Sequence, residues 1–300
     1  MNNKLLWLII IFSISFHLHG KNIESLKQQV NSVLEGKSAT VGVAILGGNS
    51  RDYLSINGNK QLVMHSVFKY HLALAVLEQV DNGNMNLADK ITITKKDLEN
   101  KLWSPIRRKY PNGASLPLAE ILKYTVASSD NVGCDLLFKM LGGPKVVEKF
   151  SHHKGITDIA ILYDEMTQQA VWERQYENWT TAEASITALK LFYENKNSLL
   201  SPESHRFLWD TMKASPYGKK TIKGKLPKGT IVAHKTGHSG QNEAGLTAAQ
   251  NDIGIVFLPD GSHFYISVLV GDSMETREVN KKIIADIAKL AWDYFENNQT

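Results

Sequence analysis

Residues 66–77 read SVFKYHLALAVL, with a serine and a lysine three positions apart at the head of an apolar run. Positions i and i+3 of an α-helix lie on one face, so Ser66 and Lys69 project together from the start of a predicted helix. The apolar part of the run, 72–77, is among the clearest helical patterns of a region that stays mostly helical to about residue 212. This stretch therefore opens a helical part in the middle of the chain.

Strand patterns lie on both sides of this helical region. A hairpin is predicted before it, because the runs 40–46 and 52–56 flank the turn residues Gly-Gly-Asn-Ser. Strand patterns return after it at 230–233, 244–249, 252–258 and 264–270, and the last two flank a Pro-Asp-Gly turn. Helical spacing at 22–35 and at 275–295 predicts a helix near each end of the chain.

These patterns predict the fold class and its division. Pairing the strands from both ends gives one antiparallel sheet flanked by the terminal helices, an α/β (α+β) architecture with an inserted all-helical subdomain. We expect residues 21–62 and 213–300 to form the α/β subdomain and residues 63–212 the all-helical subdomain.

The first twenty residues have the pattern of a targeting segment. Lys4 lies in a short polar start, the run 5–12 is apolar, and polar residues return by His17. This pattern is typical of a signal peptide and is too short to span a bilayer comfortably, and no later segment reaches about 18 uninterrupted apolar residues. We therefore expect a signal peptide over residues 1–20 and a secreted or periplasmic protein with no stable membrane association.

Composition and charge narrow the possible partners. The 300 residues are 43% hydrophobic and 21% charged, enough to bury a core. The formal charge of +4 is spread along the chain without a recognition motif, so we expect no nucleic-acid partner. The single cysteine, Cys134, lies in an apolar helical stripe, where a buried thiol is expected and no intramolecular disulfide can form. His152 and His153 are the only paired histidines, and because adjacent residues rarely bind one ion, no metal site is predicted.

Four short motifs carry candidate chemistry. Ser66 and Lys69 come first, followed by Ser-Asp-Asn at 129–131, Glu165, and Lys-Thr-Gly at 235–237. A serine hydroxyl needs a nearby base or cation to act as a nucleophile, and a helix N-terminus offers free N–H groups to an oxyanion. Each motif alone has a structural interpretation: Ser-Asp-Asn is typical of a helix cap, Lys-Thr-Gly of a strand entering a turn, and Glu165 of a solvated loop.

Together and in this order, the motifs resemble those of class A serine β-lactamases and penicillin-binding proteins. The resemblance to the class A enzymes covers essentially all of the sequence after the first twenty residues, and it is greatest for the extended-spectrum-like branch with longer loops. It implies the β-lactamase/transpeptidase-like fold and hydrolysis of the β-lactam ring of penicillins and cephalosporins, which confers antibiotic resistance. It also implies a monomer that acts on small β-lactam molecules without a metal or organic cofactor.

The resemblance implies that Ser66, Lys69, Ser129 and Glu165 are catalytic. Ser66 attacks the lactam carbonyl, and Lys69 assists removal of its proton; either Lys69 or Glu165 is the acylation base. The backbone N–H groups of Ser66 and His238 form the oxyanion hole, where loss of one donor typically costs about a hundredfold or more in rate. Ser129 passes a proton to the departing lactam nitrogen. Glu165 activates the water that hydrolyses the acyl-enzyme.

Further residues are implied to bind the substrate. Asn131 holds the acylamino side chain, and Lys235 places a cation beside Ser129 and the substrate carboxylate. Thr236 hydrogen-bonds the same carboxylate. Gly237 leaves the strand edge open, so that the substrate backbone can lie along it.

The sequence departs from the family pattern at three places. Gln169 stands where most of the family has a water-holding asparagine, and it keeps the amide on a longer side chain. No arginine lies between residues 206 and 277 to support carboxylate binding, and Thr221 occupies the place where the longer-loop branch often has one. Carboxylate binding is then expected to rely on the Lys-Thr-Gly motif and Lys220. His238 is bulkier than the residues usual at its place, which positions it to alter substrate preference.

Two alternative functions remain open at this point. The same scaffold serves penicillin-binding transpeptidases and carboxypeptidases, and it serves non-catalytic sensors that are acylated once by a β-lactam. Glu165 argues against both, because it makes the acyl state transient. A chromogenic cephalosporin separates them, since only a lactamase turns over many times.

Overall fold

The computed structural model describes residues 22–99 and 101–298. The predicted signal peptide, residues 1–20, lies outside the described residues. Among those described, no helix has the length and apolar character needed to cross a membrane.

A five-stranded antiparallel sheet is built from the two ends of the chain. Numbered in chain order, its strands are β1 (Thr40–Gly47), β2 (Tyr53–Ile56), β8 (Val232–His238), β9 (Thr247–Phe257) and β10 (His263–Ser273), in the spatial order β2-β1-β10-β9-β8. Early and late strands meet at β1 and β10, where Val43 pairs with Val268. The predicted fold class, an antiparallel sheet made from both ends, is therefore confirmed.

The two faces of the sheet pack against different helices. Helices α1 (Ile23–Leu34) and α10 (Arg277–Asn297) cover one face. Successive strand residues point to opposite faces, so Val43 and Ile45 join the core beneath these helices while Ala44 joins the larger core on the other side. The sheet thus carries a hydrophobic core on each face.

The region between the strands is mainly helical. It contains α2 (Phe68–Asp81), α3 (Pro105–Lys109), α4 (Leu118–Ala127), α5 (Asn131–Leu141), α6 (Pro144–His153), α7 (Glu165–Ala170), α8 (Ala182–Glu194) and α9 (Pro202–Lys213). Helix α2 is the centre of this region, because its first ten residues are all buried and α4, α5, α6 and α9 pack around it. A helix that is apolar on all sides is stable only when it is surrounded in this way.

Short strands also lie within this region. They are β3 (Leu62–Val63), β4 (Lys90–Ile93), β5 (Ala114–Pro117), β6 (Ile159–Ala160) and β7 (Trp179–Thr180). Strands β4 and β5 form a hairpin, and β7 lies between β3 and β6. The division of the chain after residues 62 and 212 into two subdomains stays a prediction.

One sheet prediction is wrong: the runs 244–249 and 252–258 are a single strand, β9. The prediction left the polar residues 250 and 251 between two strands, but both are buried within β9, as is the adjacent Asp252. The Asn251 amide donates to the carbonyl oxygens of Val63 at 2.8 Å and Met64 at 3.2 Å. Buried polar groups persist where they are hydrogen-bonded, and here they tie the sheet to the segment that precedes Ser66.

Candidate active site

A cavity of about 570 Å³ lies between β8 and the helical region. Eight residues that the sequence selected for the site line it: Ser66, Ser129, Asn131, Glu165, Gln169, Lys220, Thr236 and His238. Lys69 and Lys235 are buried beneath its floor and reach lining residues through their ammonium groups. The structure therefore gathers side chains from four distant stretches of sequence around one space.

The turn that carries Ser66 is held tightly against β8. Ser66 lies in a 3₁₀ turn, His65–Val67, that runs directly into α2. A Cβ atom on Gly237 would lie 2.5 Å from the carbonyl oxygen of Met64. Glycine at 237 therefore allows the strand to approach the nucleophile turn, a reason additional to the open strand edge expected from the sequence.

The Lys69 ammonium is the centre of the reactive cluster. It donates to Ser66 Oγ at 2.8 Å, to Asn131 Oδ1 at 2.6 Å and to Glu165 Oε1 at 2.5 Å. Ser66 Oγ also donates to Glu165 Oε1 at 3.1 Å. The hydroxyl, the ammonium and the carboxylate thus touch one another in a largely buried cluster.

The charges of Lys69 and Glu165 stabilise each other. Burial acts to lower the pKa of Lys69, but the adjacent Glu165 carboxylate raises it above its ordinary value. Burial acts to raise the pKa of Glu165, but the Lys69 ammonium holds it well below its usual range. At neutral pH the pair is ionised, so the carboxylate is the group free to accept the proton of Ser66.

The second carboxylate oxygen of Glu165 is held by two amides. Gln168 Nε2 donates to Glu165 Oε2 at 2.8 Å, and Gln169 Nε2 donates to the same oxygen at 2.6 Å. The sequence selected Gln169 by its place in the family pattern and missed Gln168, which has no motif of its own. At the start of α7 the Asp135 carboxylate accepts the backbone N–H groups of Glu165 and Met166 at 2.7 and 3.0 Å. Glu165 is fixed by both its side chain and its backbone.

Asn178 ties this loop together from within. Its fully buried side chain accepts from the N–H groups of Leu162 at 2.7 Å and Tyr163 at 3.0 Å. It donates to the carbonyl oxygen of Tyr163 at 2.8 Å and to Gln168 Oε1 at 3.0 Å. All four hydrogen-bonding positions of the amide are used, and one of them orients the glutamine that holds Glu165.

On the opposite wall, Ser129 and Lys235 form a second pair. Lys235 Nζ donates to Ser129 Oγ at 3.0 Å and to the carbonyl oxygen of Thr236 at 2.8 Å. Burial, with the nearby Lys69 charge, lowers the pKa of Lys235 to about 7. This ammonium is therefore a proton donor matched to neutral pH.

The Ser-Asp-Asn motif combines a cap with chemistry. The carboxylate of Asp130 accepts from Gly133 N at 2.8 Å as the N-cap of α5, and also from Ser104 Oγ at 2.8 Å and Ile106 N at 2.7 Å. Ser129, on one side of Asp130, adopts a left-handed φ of 53°. The capping interpretation thus applies to the middle residue, which leaves Ser129 and Asn131 to line the cavity.

Two aromatic residues at the cavity mouth were missed by sequence reasoning. The Trp103 and Tyr217 rings meet edge to face with their centroids 6.4 Å apart, and the Arg108 guanidinium lies 4.1 Å from the Trp103 centroid. Trp103 Nε1 donates to the carbonyl oxygen of Ser128 at 3.3 Å. No local pattern distinguishes such a tryptophan from a surface residue, because its place depends on packing between distant segments.

Cations line the wall beyond β8, but not all are available to a ligand. Lys219, Lys220, Arg277 and Lys281 all line the cavity. Lys220 Nζ donates to Glu278 Oε2 at 3.0 Å. Thr221, at the place of the missing arginine, donates to Asp252 Oδ2 at 2.5 Å, and His234 Nδ1 lies 2.8 Å from the other oxygen of that carboxylate. Arg277 is thus an additional cation at the cavity that the sequence did not select.

Cys134 does not line the cavity, although the charges of Lys69 and Glu165 act on it. Cys134 is fully buried in α5, and burial raises the pKa of its thiol well above the ordinary value. Within residues 22–99 and 101–298, no three histidine, cysteine, aspartate or glutamate side chains cluster in a way that could hold a metal ion.

This fold and this serine-centred cluster define a serine hydrolase. The family model described as "Beta-lactamase enzyme family" matches residues 25–295. The chain belongs to this β-lactamase enzyme family, in agreement with the resemblance of its motifs to class A enzymes.

Individual relatives place the chain within the family. It is 45% identical to "Beta-lactamase VEB-1" of Pseudomonas aeruginosa over 97% of both chains, and 41% identical to "Extended-spectrum beta-lactamase PER-1" of the same organism over 90% of this chain and 87% of that one. The crystal structure of TLA-1 extended-spectrum β-lactamase is similar with a TM-score of 0.89 and 46% identity, covering 92% of this chain and 100% of that one. The similarity to extended-spectrum enzymes of class A is therefore confirmed.

Proposed function

We propose that the protein hydrolyses the β-lactam ring of penicillins and cephalosporins through an acyl-enzyme on Ser66, and thereby confers antibiotic resistance. One observation carries the proposal: Glu165 Oε1 accepts hydrogen bonds from both Ser66 Oγ, at 3.1 Å, and Lys69 Nζ, at 2.5 Å. A carboxylate so placed serves the two proton transfers that a complete hydrolytic cycle needs.

Acylation begins with attack of Ser66 Oγ on the lactam carbonyl carbon. Glu165 accepts the serine proton, because Lys69 is already protonated, and the N–H groups of Ser66 and His238 bind the developing oxyanion. The carbon–nitrogen bond then breaks, and Ser129 donates a proton to the nitrogen. Lys235 restores the proton of Ser129, and the proton held by Glu165 replaces the one that Lys235 gave up. The net change is transfer of the Ser66 proton to the lactam nitrogen.

Deacylation returns the enzyme to its starting state. Glu165 removes a proton from a water molecule, and the resulting hydroxide attacks the ester carbonyl carbon. The bond between that carbon and Ser66 Oγ breaks, and Ser66 recovers its proton from Glu165. Gln168 and Gln169 keep the second carboxylate oxygen fixed during the step. This second half-reaction distinguishes a hydrolase from a penicillin-binding protein.

Substrate contacts follow from the charges around the cavity. Lys235 and Thr236 hold the substrate carboxylate, and Asn131 holds the acylamino group. Lys220 is engaged with Glu278, so we assign the additional cation on that wall to Arg277 rather than to Lys220. Gly237 and His238 form the strand edge along which the substrate lies.

We also propose that residues 1–20 are a signal peptide and that the mature protein acts in the periplasm or outside the cell. The apolar run 5–12 after Lys4 supports this placement. A monomer without metal or organic cofactor is sufficient for the mechanism, because every group it uses belongs to one chain.

A chromogenic cephalosporin tests the proposal directly. We expect many turnovers per enzyme molecule, whereas a single stoichiometric burst would support a penicillin-binding transpeptidase or a sensor instead. Glu165→Gln should accumulate an acyl-enzyme that is visible by intact mass. Glu173→Gln, an exposed carboxylate on the same loop, is the matched control and should turn over at the parent rate. Hydrolysis by Glu165→Gln at the parent rate would refute the assignment of the base.

A further inference from the structure

His65 is a buried titratable residue at the nucleophile that the mechanism above does not use. It directly precedes Ser66, is 4% exposed and lines the cavity. Its backbone has a left-handed φ of 45°, a conformation that residues other than glycine adopt infrequently. A histidine held in this way beside the reactive serine calls for a physical reason.

The imidazole of His65 makes one specific contact with the loop that carries the base. Its Nε2 lies 2.8 Å from Gln175 Oε1, and Gln175 Nε2 donates to the carbonyl oxygen of Trp172 at 2.7 Å. The second bond turns the amide oxygen of Gln175 toward the ring. Because an amide oxygen only accepts, His65 Nε2 carries the hydrogen of this bond.

A backbone bond reinforces this link. Met64 N donates to the carbonyl oxygen of Asn178 at 3.1 Å, so the segment before Ser66 is joined to the loop at two points. Asn178 in turn orients Gln168, which holds Glu165. His65 and Glu165 are therefore connected through the loop as well as through space.

Burial, rather than the neighbouring charges, favours the neutral form of His65. Burial lowers the pKa of His65, and the Lys69 ammonium adds to this, while the Glu165 carboxylate opposes it. Across the cavity, burial with the Arg277 charge lowers the pKa of His238 to about 4, so that imidazole is also uncharged near pH 7. Gln175 carries no charge. The ring of His65 thus bonds to the loop without disturbing the Lys69–Glu165 pair.

We propose that His65 is a positioning residue for deacylation: through Gln175 it holds the loop that carries Glu165 at a fixed distance from Ser66. The inference rests on the proposed function, because deacylation is the step that depends on this distance. Acylation depends less on the loop, because the Ser66 hydroxyl and the Lys69 ammonium then both bond to Glu165 Oε1 and help to hold it. In the acyl-enzyme Ser66 Oγ is esterified and no longer donates to Glu165, so the position of the carboxylate depends more on the loop.

The test separates the two half-reactions in matched variants. His65→Asn removes the contact with Gln175 and keeps a residue that tolerates the left-handed turn. Gln175→Ala removes the same contact from the side of the loop. Glu173→Gln is the control. Rapid quenching with intact mass gives each rate constant. We expect His65→Asn and Gln175→Ala each to deacylate about fivefold more slowly, as for loss of one hydrogen bond, with acylation within about twofold of the parent. The double variant should be no slower than either single one.

A pH profile distinguishes positioning from general destabilisation. Gln175→Glu places a carboxylate on His65 and keeps the imidazole protonated to higher pH, which puts a cation beside Glu165 and weakens it as a base. In Gln175→Glu the loss of deacylation rate at acid pH should follow protonation of His65, and it should therefore begin at a higher pH than in the parent. In the variant that also carries His65→Asn, the pH profile should return to that of the parent. Additive single effects, or an equal loss in acylation, would overturn the proposal.

Loop mobility gives a readout that does not depend on turnover. Amide hydrogen exchange across residues 165–178 should be faster in His65→Asn than in the parent and unchanged in Glu173→Gln. Unchanged exchange in His65→Asn refutes the positioning role whether or not the protein hydrolyses a β-lactam. If the parent protein did not turn over a cephalosporin but His65→Asn still loosened the loop, the proposed function would be refuted and the positioning role of His65 would stand.

Discussion

Replacement of Asn178 by alanine measures how strongly the loop around Glu165 is held. The side chain is fully buried and makes four hydrogen bonds, with donor–acceptor distances of 2.7 to 3.0 Å. A typical intramolecular hydrogen bond contributes about 1 kcal/mol to stability. Loss of all four should therefore lower the free energy of unfolding by about 4 kcal/mol.

Two further variants show whether the bonds account for this loss. Asn178→Asp keeps the two acceptor bonds to the backbone but turns a buried carboxylate oxygen toward two acceptor oxygens, so it should lose at least the roughly 2 kcal/mol of the two donor bonds. Asn84→Ala removes an exposed amide with one bond, to Gln79, and should change stability by less than about 0.5 kcal/mol.

Urea unfolding followed by circular dichroism gives the free energies, and a constant m-value would show that the unfolded states are comparable. Deacylation should slow in Asn178→Ala as well, because Gln168 loses the bond that orients it. A loss in Asn178→Ala below about 1 kcal/mol, no larger than that of one bond, would contradict the reasoning.

Substitutions at three other residues test the electrostatics and the buried network. Burial and the Lys69 charge lower the pKa of Lys235 to about 7. As pH rises through this value Lys235 loses the charge that binds the substrate carboxylate, so KM for a penicillin should rise. Steady-state kinetics across this range should show a flatter profile in Lys235→Arg, whose guanidinium stays charged. Burial and the neighbouring Glu165 charge raise the pKa of Asp135 from 3.8 to about 8. The folded protein then holds a proton that the unfolded chain releases, and stability falls as pH rises through this window by up to about 1.4 kcal/mol per pH unit. Chemical denaturation at several pH values should show that slope reduced in Asp135→Asn. Thr221→Val removes the bond to the buried Asp252 carboxylate and should lower the free energy of unfolding by about 2 kcal/mol, while Thr221→Ser should retain most of it in the same urea assay.

The motif residues could be predicted from the sequence because their chemistry requires particular side chains at fixed spacings. Residues three positions apart, such as Ser66 and Lys69, share one face of a helix wherever that helix lies in the fold. Residues 235–237 are consecutive in one strand, so their spacing is fixed as well. The fold class followed for a similar reason, since strand patterns at both ends pair across β1 and β10. Local periodicity was sufficient for the fold class, whereas the site residues were selected through the resemblance of the four motifs to class A enzymes.

Features that depend on tertiary partners could not be predicted in this way. Strand β9 was divided in two at the polar residues 250 and 251, and only the structure supplies the buried partners of Asn251 and of the adjacent Asp252. Gln168 and His65 were missed because each is defined by a contact with a distant residue, Asn178 and Gln175 respectively. A single sequence does not contain those distances.

The sealed position of Cys134 has a practical consequence for the study of this loop. It is the only cysteine in the chain, its side chain is fully buried, and burial holds its pKa far above the range in which a thiolate reacts. A second cysteine introduced at an exposed place such as Glu173 would therefore be the only thiol open to a maleimide dye. Such a singly labelled protein would report loosening of the loop in variants such as His65→Asn by fluorescence, without removal of the native residue.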